Sequence, residues 1–413
     1  MKNVLFVLPF FPYPFLSGGH QAIFNGINAV RDDANVVITF CEYPQYPILK
    51  SKAEFAKLTG NRVIVIPYVL PGPSHSEHGL LDKVRSLLGK IKKAISGAPR
   101  SSSSDYDDWM KQLLPSNEGF LKHIRSLMEQ YRVDIVQCEM LEMAHIVLAL
   151  PDNVKKIFVE HEIGYVRKKL RLDTKGDSSM VGHIQCEMNK MMEVALLNRF
   201  DEVITLSSID SDKLRSAGVT TDIHTSFAIV NTPINNDTTE LPISNVLSFV
   251  GPEWHPSNKS GLMWFLSECW EKLNSEHDFS LIVIGLWDEA TKKSIESRYH
   301  GVSFLGYVKD LRETISNTTM IVPITVGSGI RMKILEACAI GVPVVTTSVG
   351  CEGLPLVSGE DCMIANSADD FIESILSLRD AGFRQEIITA AQNKISSQFS
   401  MASLRENRAR LYK

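Results

Sequence analysis

The sequence predicts an α/β protein made of two tandem Rossmann-like, doubly wound domains facing across a cleft. Three observations carry that prediction. The chain has 413 residues, beyond the roughly 250–300 at which a single core stops growing. Short runs that are apolar on both faces alternate with helix-patterned stretches, as parallel strands covered on both sides do. The alternation then breaks at a polar, proline-punctuated stretch after Asn231, NTPINNDTTELPIS, and restarts beyond it. Hydrophobic residues at 44% and charged residues at 22% match a water-soluble globular chain. A formal net charge of −5 gives no global attraction for nucleic acid, and none is expected as a partner.

Taken in order, the first run, Val4–Leu8, could pass for part of a signal peptide. Pro9, Pro12 and Pro14 break it, and Ser17-Gly18-Gly19 leads directly into patterned sequence, so a buried first strand is expected. VVITF, RVIVIPY, DIVQC, KIFVEH and DEVITLS continue as strands of a first domain over residues 1–235. Within it, residues 80–95 set Leu80, Val84, Leu87, Leu88 and Ile91 at helical spacing beside Lys83, Arg85, Lys90, Lys92 and Lys93. Two readings of this basic amphipathic helix stand: packing on a core, or peripheral contact with an anionic membrane surface or lipid-linked acceptor. Asp210-Ser211-Asp212 falls at a helix start, where acidic residues stabilise exposed N–H groups, and is read as capping instead of metal binding. VLSFV, FSLIVIG, VSFLG, TMIVPIT and PVVTTS build a second domain over residues 236–390. Residues 391–413 are expected as a C-terminal helix packing back on the first domain. Seven cysteines, with no C-x-x-C pair and no zinc spacing, read as idle thiols of a reducing cytosol. No apolar stretch reaches the ~20 residues a spanning helix needs.

The strongest candidate site is the succession TMIVPIT, VGSG, IRMKILEACAI: strand, glycine turn, helix. Gly327 and Gly329 allow a tight turn and a close approach to a ligand. The free N–H groups and positive end of the following helix make an anion site suited to a diphosphate, with Arg331 and Lys333 as added cations. Glu336 shares a helix face with Lys333; beside a nucleotide, a carboxylate serves to accept paired ribose hydroxyls. An ordinary βα turn with a Lys333–Glu336 pair is the plainer alternative. The dinucleotide pattern G-x-G-x-x-G fails because Met332 stands at its third glycine.

With these residues in view, VGPEWHPSNKSGLMWFL, GVSFLGYVKDLRETI, VGSGIRMKILEACAIGVPVVTTSVGCEGL and GEDCMIANSADDF resemble the family 4 (group 1) glycosyltransferases, which have the GT-B fold. VEHEIGYVRKKL and DEVITLSSIDSDKL extend a looser likeness into the first half. The resemblance implies retaining transfer of a sugar from a nucleoside diphosphate donor, held by the second domain, to a glycan or glycolipid acceptor on the first. Assembly of surface polysaccharide by a cytoplasmic enzyme, soluble or on the inner membrane face, is the implied setting, with no metal or other cofactor. It implies that Arg331 and Lys333 meet the donor phosphates, Glu336 the ribose and His161 the donor sugar. Gly18 and Gly19 match the loop that closes over the diphosphate; Gly251, Lys259, Gly327, Ser328, Gly329 and Ile330 complete the donor pocket. The family's first glutamate is replaced by Ser328, and Glu253 stands near a position where many members carry arginine, for which Lys259 is the nearest substitute. An epimerase or phosphorylase of the same fold, or a non-catalytic nucleotide-sugar-binding protein, remain the alternatives. His161 follows the run KIFVE, at a strand's C-terminal end, and strand alternation sends Glu160 and Glu162 away from its side.

Overall fold

Val, Ile and Phe crowd the runs expected as strands, and every one of those runs forms a strand in the computed structural model. The structure describes residues 1–15, 17–42, 48–70, 117–174, 176, 178–230, 232, 234, 244–327 and 329–413. The basic stretch 80–95, most of the polar connection after Asn231, including the boundary at 235/236, and Ser328 lie outside the described residues.

In the first unit the strands are β1 Lys2–Val7, β2 Ala34–Thr39, β3 Cys41–Glu42, β4 Val63–Val65, β5 Tyr68–Val69, β6 Ile135–Glu139, β7 Lys155–Glu160, β8 Glu202–Thr205 and β9 Asp222–Thr225. Seven of them form one parallel sheet in the order β4-β2-β1-β6-β7-β8-β9, while β3 and β5 pair separately. The second unit has β10 Val246–Val250, β11 Ser280–Ile284, β12 Val302–Gly306, β13 Thr319–Val322, β14 Val344–Thr346 and β15 Met363–Ile364, all parallel, in the order β12-β11-β10-β13-β14-β15. Alternate residues feed opposite faces of each sheet: Val4 and Phe6 enter one apolar layer, Leu5 and Val7 the other. Helices cover both faces, so each unit is doubly wound.

In each sheet the strand order reverses once, between β1 and β6 and between β10 and β13. Loops leaving the strand C-terminal ends diverge at such a switch point and open a crevice for ligand. The loop after β1, the loop after β10 and the loop after β13 therefore border these crevices.

The boundary expected at residue 391 falls inside one continuous helix, Ala381–Gln398. Ala391 and Ile395 of that helix lie in the apolar layer of the second unit, together with residues of the helix Met332–Ile340. The break comes at Phe399, and Ser400 caps the next helix, Met401–Ala409, accepting from the Ser403 N–H at 3.2 Å. A serine whose oxygen satisfies the new helix start ends the old helix more decisively than any signal near 391. Met401–Ala409 lies against the helix Gly18–Val30. Arg405 pairs with Asp32 at 2.5 Å, Arg408 donates to Ser226 Oγ at 3.1 Å, and Leu411 and Tyr412 enter the first unit's core.

Candidate active site

Beyond β13 the chain passes Gly327 (φ 153°) and Gly329 (φ 78°), then enters the helix Met332–Ile340 with Arg331 at its N-cap. Gly327 is favoured by its backbone angle, and a β-carbon there would push on the end of the Arg331 side chain, 2.5 Å from Nη2. Arg331, 8% exposed, donates to the Gly329 carbonyl at 2.5 Å. One turn into the helix, Lys333 donates to Asn258 Oδ1 at 2.8 Å, with its ammonium 5.3 Å from the centre of the Phe249 ring. Burial pushes Lys333 down to about 7; Arg331 adds to the shift and Glu336 opposes it. Glu336 accepts from Gln21 Nε2 at 2.8 Å, a bond between the two units. Burial raises the Glu336 carboxyl above the ordinary value, against the pull of Gln21 and Lys333.

The first unit brings three loops to the same place. Ser17 precedes the helix Gly18–Val30, whose N-terminus meets the start of the other helix: a β-carbon on Gly18 would lie 2.8 Å from Met332 Cγ. Gly19 instead faces Met140, whose Cε would be 2.7 Å from its β-carbon. His161 follows β7, and its Nε2 lies 2.6 Å from Glu139 Oε2 at the end of β6. The His161 carbonyl oxygen would be 3.5 Å from a β-carbon on Gly329, so the histidine loop and the glycine turn touch.

Strand alternation misplaces one neighbour of His161. β7 ends at Glu160 and the backbone bends at His161, so the period of two no longer applies. Glu160 is buried beside Glu193, which accepts the Gly164 and Tyr165 N–H groups at 2.8 and 2.9 Å and so anchors the helix Gly164–Thr174. Glu162 comes round to within 4.0 Å of where a Gly329 β-carbon would lie, and its charge acts on Arg331.

Of the residues singled out from sequence, His161, Arg331, Lys333, Glu336, Gly18, Gly327 and Gly329 converge, and Ile330 is packed between the apolar layers of both units. Gly251 (φ 156°) lines the loop after β10; its carbonyl accepts from Trp287 Nε1 at 2.9 Å, and Asn258 fills the space where a side chain would stand. Lys259 stands apart from the group around Lys333: its side chain is 49% exposed and its ammonium pairs with Glu253 at 2.7 Å. Glu253 also accepts the Asp288 N–H at 2.7 Å and the Thr291 hydroxyl at 2.9 Å, so it organises the start of the helix Glu289–Arg298 and leaves no vacancy for a cation to fill. From this segment Asn258 reaches Lys333, Ser257 Oγ would lie 3.5 Å from a β-carbon on Gly327, and His255 feels the charges of Glu162, Lys333 and Arg331. The Asp210 segment opens the helix Ser208–Ala217, with Ser207 as its cap.

Glu139, Gln21 and Asn258 were not singled out from sequence. Glu139 had a legible signal: Gln137 and Glu139 are polar at alternate positions of a strand otherwise fit for burial, which places both on one face with a reason to be there. Gln21 and Asn258 had none, since each matters through a partner far away in the chain.

Residues 244–380 match the family model described as Glycosyl transferases group 1. A curated relative, an uncharacterised 44.6 kDa protein in the cps region of Klebsiella pneumoniae, is 26% identical over 364 residues, 83% of this chain and 89% of the relative. Among solved structures, sucrose-phosphate synthase from Thermosynechococcus elongatus superposes with a TM-score of 0.70 at 14% identity, covering 100% of this chain and 98% of that one. Anabaena HepE in complex with UDP does so with a TM-score of 0.65 at 14% identity, covering 99% of each chain.

Proposed function

Residues 244–380 place the chain among the group 1 glycosyltransferases, on the GT-B fold, and from that premise we propose that it performs retaining transfer of a sugar from a nucleoside diphosphate donor to a glycan or glycolipid acceptor. Surface polysaccharide assembly is the setting we favour, supported by the relative in a cps region. The observation that carries the donor assignment is the burial of two cations, Arg331 and Lys333, at the start of one helix, with Glu336 a turn further on.

Cleaving a glycosyl–phosphate bond puts negative charge on the departing diphosphate. Donors already fixed in a water-poor loop stabilise that charge without reorganising, which is the largest catalytic contribution in many such reactions. Arg331, Lys333 and the helix N–H groups are the donors of this site. Glu336 keeps lone pairs beyond the one Gln21 uses, enough to accept ribose hydroxyls. His161 faces the sugar in this reading.

Titration calorimetry with UDP tests the assignment. Hydrogen bonds to charged groups contribute about 1.5–3 kcal/mol, so Arg331→Ala and Lys333→Ala are each expected to weaken binding by about tenfold or more. Unchanged affinity in both variants would remove the site from these residues. Enzyme stripped with EDTA is expected to keep its turnover, because protein groups meet the leaving charge; loss of activity restored by added magnesium would contradict this. A lipid-linked acceptor would bring the enzyme to a membrane face. No helix among the described residues is long and apolar enough to cross one, so such contact would be peripheral, and sedimentation with anionic vesicles measures it.

A further inference from the structure

Behind His161 runs a buried line of hydrogen bonds that ends in a part of the chain remote from the site. Glu139 Oε2 lies 2.6 Å from His161 Nε2, and Gln137 Nε2 donates to Glu139 Oε1 at 2.5 Å. The Tyr412 hydroxyl in turn donates to Gln137 Oε1. Gln137 and Glu139 are 0% and 1% exposed, and Tyr412 is 7% exposed. Tyr412 is held in place by its own surroundings: Lys155 donates to the Leu411 carbonyl at 2.9 Å, and the preceding helix Met401–Ala409 packs on Gly18–Val30.

The order of donors in this line is set by chemistry. A carboxylate only accepts, so the atom of Gln137 that faces Glu139 must be its NH2 group, which leaves its carbonyl oxygen toward Tyr412 and requires the phenol to donate. At the other end the Glu139 carboxylate accepts from His161 Nε2–H, so Nε2 is a nitrogen that carries hydrogen and Nδ1 is the one left over. We infer that Glu139, aligned by Gln137 and Tyr412, is the positioning residue that sets the tautomer and orientation of His161. The consequence for catalysis rests on the proposed place of His161 at the donor sugar; the hydrogen-bond line itself does not.

The test is therefore made on ligand-free protein. Histidine-labelled enzyme, observed by long-range proton–nitrogen correlation and assigned with His161→Asn, is expected to show His161 as the Nε2–H tautomer. Glu139→Gln and Tyr412→Phe are each expected to convert that signal into a mixture of tautomers. Tyr412→Phe removes one hydroxyl and leaves the ring in the core, so its thermal unfolding midpoint serves as the control for folding. A wild-type Nδ1–H tautomer, or a His161 signal unmoved by Tyr412→Phe, overturns the inference. Release of UDP from a UDP-hexose panel is then measured on the same variants. A tautomer shift without any wild-type turnover would count against the sugar-transfer reading and leave the positioning role standing.

Discussion

Lys333 shows how one residue can answer two demands. In the proposed function it must be charged to meet a diphosphate, yet its burial takes the ammonium down to about 7. In free enzyme the charged fraction falls as pH rises through that value, and a bound diphosphate restores it, so donor binding takes up a proton above about pH 7. UDP affinity is expected to weaken as pH rises from 7 to 9, by up to about tenfold per unit, with calorimetry in buffers of different ionisation enthalpy reading the uptake. Lys333→Arg stays charged throughout and should flatten the profile. A wild-type profile already flat over this range would mean that Lys333 is not the titrating cation.

Among the elements, two helices depend on contacts their own sequence does not advertise. The helix Pro256–Glu268 approaches the loop after β13 so closely that a β-carbon on Gly261 would lie 2.5 Å from the Pro323 carbonyl oxygen. Gly261→Ala is expected to cost about 1–3 kcal/mol through overpacking and to weaken UDP binding, because Asn258 on the same helix holds Lys333. Thermal unfolding and calorimetry report both, and a variant as stable as wild type would show that the loop yields freely. The helix Gly164–Thr174 is anchored by Glu193, next to the buried Glu160. Burial raises the Glu160 carboxyl well above its ordinary value. A raised acid contributes stability that is complete below its unfolded value and lost as pH climbs through the folded one. Wild type should therefore gain stability over Glu160→Gln as pH falls from 8 toward 5, and a constant difference would exclude this role.

At the scale of the whole molecule, the units meet through polar pairs, Gln21 with Glu336 at 2.8 Å and Lys213 with Glu352 at 2.6 Å, and through apolar residues that include Ala29, Ile229, Ile330 and Met332. Interfaces of this kind permit relative motion of domains. Gln21→Ala combined with Lys213→Ala is expected to enlarge the radius of gyration in X-ray scattering, with UDP narrowing the difference. Identical scattering curves would show that the apolar contacts alone hold the units together. The helix Met401–Ala409 ties the last described part of the chain to the first unit through Arg405, Arg408, Leu411 and Tyr412.

Local patterns were enough to read the strands, the doubly wound architecture and the segment Gly327–Glu336, because hydrophobic period, turn glycines and a helix start are each written within a few neighbouring residues. They also placed His161 at a strand's C-terminal end, where the structure has it. Other features depended on which distant residues meet. Asn258 turned to Lys333, 75 residues further along the chain, a pairing no local pattern records. The alternation that should have turned Glu162 away ended one residue too soon, and the partners of His161 and Glu336 came from β6 and the helix Gly18–Val30. Sequence alone determined the elements and the chemistry available at the glycine turn. Tertiary structure decided which charges remain for a ligand, since a side chain's partner is set by packing between segments tens or hundreds of residues apart, and no local pattern records it.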